Sequence, residues 1–166
     1  MRKMTIYCKA VAYTLLLGAV LATNACKTKK EEVKPQDEVP TFVDKKWATV
    51  SSTVSPKIDI NGDGVPDEDL FGPVPECEKD DMIILQREGK YMLDNGAKQC
   101  DPKDPAQEQL GTWSYTAANK TILIKDSDGG EQHWLVQESS ATRLKMQNTT
   151  AIEGINYTLT VVLKAM

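Results

Sequence analysis

The sequence predicts an all-β fold, an eight-stranded antiparallel up-and-down barrel, and three observations predict it. Apolar and polar residues alternate with period two over most of the second half, with no helix-period stretch of useful length. Turn signals rich in Gly, Asn and Asp separate these segments by only a few residues. Each segment carries one apolar face, and a meander of such strands hides its edges best by closing on itself. A two-sheet sandwich is the alternative, because spacing does not distinguish closure from face-to-face packing. The chain of 166 residues is long enough for one such domain.

The N-terminal region is read as export and attachment. Arg2, Lys3 and Lys9 precede an apolar run from Ala10 to Ala22, too short to cross a bilayer as a helix and well matched to a secretory signal. Leu21-Ala22-Thr23-Asn24-Ala25-Cys26 resembles the lipobox of bacterial lipoproteins, which implies cleavage before Cys26 and its acylation with palmitate-type chains. An ordinary secreted protein or an uncleaved anchor is the plainer reading. Residues 26–43 have two prolines and little apolar content, so they are expected to form a disordered tether. Within them Lys30-Glu31-Glu32 resembles the signal that sends Bacteroidetes-type lipoproteins to the outer face of the outer membrane; a solvated periplasmic linker fits equally. Loss of residues 1–25 removes three basic residues and no acidic one, taking the net charge from −4 to −7. That balance, with no basic cluster in the sequence, argues against nucleic acid and against anionic lipid headgroups as partners.

Residues 44–166 are expected to form the barrel. Lys46-Trp47-Ala48-Thr49-Val50-Ser51-Ser52-Thr53-Val54 reads as the opening strand with Trp47 buried. The run Asp59-Ile60-Asn61-Gly62-Asp63-Gly64-Val65-Pro66-Asp67 then places side-chain oxygens at the first, third, fifth and ninth positions of an EF-hand-type loop, with Gly64 at the sharp turn. Calcium wants six to eight oxygens, so the expected ligands are Asp59, Asn61, Asp63, the Val65 carbonyl, Asp67 and Asp69. Leu70 replaces the usual closing Glu and Pro66 argues against flanking helices, so closure falls to Glu68, Asp69, or the more distant Asp80 and Asp81. An acidic turn that binds no metal is the bland reading.

A proline-bearing connector leads to Cys77. Met82 to Arg87 and Tyr91 to Asp94 form a hairpin around Glu88-Gly89-Lys90, ending at Asn95-Gly96. Cys77 lies just before this hairpin and Cys100 just after it, so antiparallel pairing brings the sulfurs together; a half-formed metal site or redox dithiol lacks a second Cys or His nearby. Further strands follow at Gly111–Tyr115, Thr121–Lys125, Glu131–Gln137, Thr142–Met146 and Ile155–Leu163. The turn at Asp126 to Gly130 is expected to use both of its glycines at positive φ.

Trp47, Asp59 to Gly64, Cys77 with Asp80-Asp81, Gly89-Lys90-Tyr91, Cys100-Asp101-Pro102 and Gly111-Thr112-Trp113 together resemble the lipocalin-like domain of Bacteroidetes-type lipoproteins, over residues 44 to 166. The resemblance implies an eight-stranded calyx tethered to a membrane by an N-terminal lipid, and no established ligand.

His133 is the sole histidine and is expected to face solvent opposite Trp134 and Val136, so no triad base is in prospect and an enzyme is not expected. The expected function is a non-enzymatic binding module for a small hydrophobic ligand, lined by Trp113, Tyr115, Trp134, Met146 and Tyr157. A plain packed core is the competing reading of the same residues. The alternative function is a protein-interaction module of the envelope: an inhibitor of a basic host enzyme such as lysozyme, which the acidic charge would suit, or an adhesion or assembly subunit.

Overall fold

The computed structural model describes residues 39–166; the predicted signal, Cys26 and the first part of the predicted tether lie outside the described residues. Nine strands follow one another: β1 (Lys46–Ile58), β2 (Asp67–Asp69), β3 (Met82–Leu85), β4 (Lys90–Asp94), β5 (Gln107–Thr116), β6 (Thr121–Asp126), β7 (Glu131–Ser139), β8 (Arg143–Ile152) and β9 (Ile155–Ala165). All the predicted strands are present. Every pairing is antiparallel, and β9 returns to β1 from Trp47↔Ala165 to Ser55↔Thr158, so β1 and β3–β9 close an eight-stranded up-and-down barrel. The short β2 is extra. It pairs with the far half of β1 (Thr53↔Asp69, Ile58↔Asp67) and ties the acidic excursion to the wall.

The registers define two ends. The start of β1, the β3–β4, β5–β6 and β7–β8 turns and the end of β9 gather at what we call the entry end. The acidic excursion and the β4–β5, β6–β7 and β8–β9 connections gather at the opposite, open end.

Inward side chains alternate with outward ones, as a closed meander requires. Trp47, Leu85, Ile122, Leu144 and Leu163 are fully buried at the centre, with Ile124, Trp134, Val136 and Met146 packed around them. The domain begins earlier than residue 44. Phe42 and Val43, read from the sequence as tether, are buried in the same core because the chain folds back over the entry end before β1. Phe42 meets the rings of Trp113 and Tyr115 edge-on, with centroids 5.9 and 5.3 Å away, and its carbonyl accepts a 2.9 Å hydrogen bond from Trp47 Nε1. The Asp44 amide donates to the Leu85 carbonyl, and the Asp44 carboxylate accepts from the Arg87 amide, so the segment is pinned as well as packed.

Cys77 and Cys100 form the expected disulfide, with Cα atoms 5.1 Å apart. One turn expectation is corrected. Gly129 has φ +89°, but Gly130 does not take a positive φ; it is needed because a side chain there would collide with the Asp126 carboxylate, which folds back to accept the Asp128 and Gly130 amides.

Candidate functional site

At the open end the barrel wall is uneven, and this makes a hollow. β8 runs on to Ile152 and β9 starts at Ile155, well past the predicted limit at Met146, joined by a turn with Glu153 and Gly154 at positive φ. β1 runs on to Ile58 beside them. Their inward faces continue the barrel interior beyond the packed core, with Val54 and Ile58 on β1, Thr150 and Ile152 on β8, and Tyr157 and Leu159 on β9. Ile60, Leu70 and Pro73 of the excursion close the remaining side, held by β2 and by the Leu70 amide donating to the Ser52 carbonyl. The volume of this open hollow is about 420 Å³. Its lining is almost wholly apolar. Asn148, the polar side chain deepest among the lining strands, donates to the His133 carbonyl at 2.9 Å. Ile60 and Ile152 remain 54 % and 46 % exposed, so among the described residues nothing covers the apolar surface at this mouth.

The aromatic and sulfur residues predicted to share one cup are divided among three places. Trp134 and Met146 belong to the solid core beneath the hollow, and Trp134 Nε1 donates to Gln132 Oε1. Trp113 and Tyr115 lie at the entry end, where they line a second cavity of about 780 Å³ together with the entry segment, Val39 to Val43, and with Arg87 and Ser139. Trp113 Nε1 donates to the Gln86 carbonyl, and Phe42 covers its ring. Tyr157 alone lines the open-end hollow. Sequence alternation identifies all five as inward-facing, but not the depth at which each sits.

The acidic loop stands beside the hollow and shares Ile60 with it. Gly62 and Gly64 take φ +77° and +87°, which curls the chain so that successive amides point at preceding side chains. Asp59 accepts from the Gly62 and Gly64 amides at 2.7 and 2.9 Å, Asn61 from Asp63, and Asp63 from Val65. Asp59, Asn61 and Asp63 therefore share one turn, as a calcium loop requires, and Val65 lies next to it. Asp67, in β2, pairs with Ile58 of β1. Asp69 is engaged in the next turn, where the amides of Gly72 and Phe71 hold its carboxyl below the usual range. Asp80 accepts from the Ala97 and Lys98 amides, which tie the β4–β5 loop, and so is committed away from the acidic turn. Among the described residues no three of His, Cys, Asp and Glu converge as a metal cage. Of the expected calcium ligands, Asp59, Asn61 and Asp63 share the turn, whereas Asp69 and the candidate closing residue Asp80 are held by other backbone amides.

Electrostatics elsewhere at this end are structural. Asp94, 7 % exposed, receives Lys46 Nζ at 2.7 Å and Gln107 Nε2 at 2.6 Å, and the lysine bond chiefly holds its carboxyl below the usual range. Asp81 is pushed up, first by burial and then by Asp80, Glu78, Asp94 and Asp104. His133 is exposed on β7, across from Leu123.

No protein-family model and no curated protein matches the chain. Among solved structures, a complex of bovine odorant binding protein with a selenium-containing odorant is similar, at 15 % identity and TM-score 0.41 over 80 % of this chain and 76 % of that one.

Proposed function

We propose that the protein is a membrane-anchored envelope lipoprotein of the Bacteroidetes type whose lipocalin-like barrel binds a small hydrophobic ligand without chemistry upon it. The observation that carries the reading is the apolar hollow of about 420 Å³ above a closed core. Pockets for small molecules generally occupy about 300–1,000 Å³ and are mostly apolar with a few polar groups, which describes this one. Transfer of a ligand's apolar surface into it is favoured by about 25 cal/mol per Å² removed from water. Tyr157 offers the hydroxyl and Thr150 a second polar group at the rim, so an amphiphile with its polar end outward is the best-matched class. Calcium held by Asp59, Asn61, Asp63, the Val65 carbonyl and Asp67 would stiffen the loop that carries Ile60, and with it one wall of the hollow. Cys26 would supply the lipid, and the outer membrane the location.

Titration with the apolar fluorophore N-phenyl-1-naphthylamine tests this. Thr150→Trp places an indole in the hollow from an exposed position and should weaken binding at least tenfold without lowering stability. Equal affinity in that variant would show that the ligand sits elsewhere.

A further inference from the structure

The closed meander sorts charge by end, a pattern absent from the sequence order. Residues 39–166 contain 13 basic and 20 acidic side chains. The entry half holds eight of the basic ones, of which Lys46 pairs with Asp94 at 2.7 Å, against three acidic ones, Asp44, Glu88 and Glu138; the open half holds five basic and seventeen acidic, Asp94 among them. At the entry rim Lys45 before β1, Lys90 of β4, Lys120 of the β5–β6 turn and Lys164 of β9 make no ion pair among the described residues, while Arg87 and Arg143 pair with Asp44 and Glu138. Lys90, Lys120 and Lys164 are exposed. The described chain also enters at this rim, through Val39 to Asp44.

We propose that the entry rim docks on anionic lipid headgroups, so that the tethered barrel stands with its basic end on the bilayer and its apolar hollow turned away. The proposal rests on the lipid-anchor reading for its tether, and the rim's position at the chain's entry favours a membrane over an acidic protein. A strand of ten residues spans about 33 Å, whereas the Debye length at physiological salt is about 8 Å, so the acidic end does not cancel the attraction at the surface. Each lysine near an anionic leaflet contributes about 1 kcal/mol, roughly fivefold in the docked population. Tethering holds the rim at a high effective concentration, so a weak surface contact sets the orientation.

The test uses the full chain on vesicles of phosphatidylcholine alone or mixed with phosphatidylglycerol, with a fluorophore at Asn119→Cys in the entry-end turn or Ser127→Cys at the open end, and nitroxide-headgroup lipid as quencher. Quenching at position 119 should exceed that at 127 several-fold on the anionic vesicles only. High salt should abolish the excess, as should the double change Lys90→Glu and Lys120→Glu, whereas Lys79→Glu with Lys103→Glu at the open end should leave it intact. A chain that floats with the vesicles but shows no such excess overturns the docking alone. A chain that does not float with phosphatidylcholine vesicles overturns the anchor reading and this proposal with it.

Discussion

Phe42→Ala removes the ring that closes the entry end, and its effect can be worked from the packing. Phe42 is 1 % exposed and touches both Trp113 and Tyr115 edge-on. A buried Phe→Ala change costs about 3–5 kcal/mol, the transfer of the ring plus the cavity it leaves. Edge-to-face aromatic pairs add about 0.5–1.5 kcal/mol beyond their area, which places this site toward the upper part of that range. The loss should lower Tm by roughly 10 °C or more. Urea unfolding followed by tryptophan fluorescence provides the assay, since Trp47 and Trp113 both adjoin the plug. Phe42→Leu, which keeps most of the volume, should recover the greater part. A loss below about 1 kcal/mol for the alanine variant would refute the plug and return residues 42 and 43 to a tether.

Lys46→Met leaves the Asp94 carboxylate without its cation; Lys46 is 47 % exposed, so the expected cost is about 1–3 kcal/mol at neutral pH, read by urea unfolding. The folded state lowers the Asp94 pKa, so this stabilisation is full above the ordinary carboxylate range and fades as pH falls through the lowered folded value; wild type and Lys46→Met should converge in acid. Asp81 has the opposite sign: its raised pKa means ionisation opposes folding, so Asp81→Asn should stabilise at neutral pH and lose that gain as pH falls from the raised folded value to the ordinary carboxylate value. Replacing Cys77 and Cys100 by Ser opens a loop with a sequence separation of 23 and should cost about 3 kcal/mol in chemical unfolding. Calcium at about 100 times its Kd should add about 2.7 kcal/mol to unfolding and Asp63→Ala should erase that increment, whereas equal melting in chelator and in calcium would rule out a structural ion.

The barrel was legible because its strands alternate sharply where both neighbours are strands, as in Thr142–Met146 or Ile155–Leu163, and because Gly89, Gly96 and Gly129 mark turns that need positive φ. The disulfide followed from antiparallel pairing alone. Phe42 and Val43 were not legible, since two apolar residues after a polar tract carry no period; tertiary packing against Trp113 and Tyr115 decides their place. Gln147 to Thr150 lie beyond the predicted strand end at Met146, yet they continue β8 with inward Asn148 and Thr150 facing the hollow instead of the core. Alternation correctly turned Trp113, Trp134, Met146 and Tyr157 inward, but the height of each along the barrel depends on register, which the β1 bulge between Thr49 and Ser51 and the β7–β8 bulge between Val136 and Glu138 shift. The basic rim was invisible for the same reason: its lysines are scattered in sequence, and only closure brings them to one end.

The most direct test of hydrophobic binding at the open end is an isotope-filtered nuclear Overhauser experiment on the methyl-labelled protein with N-phenyl-1-naphthylamine bound. Cross-peaks from the probe to the methyls of Ile58, Ile60, Leu70 and Ile152 are the predicted result. Cross-peaks confined to Val39, Val43 and Ala117 at the entry end, or no binding at all, would contradict it.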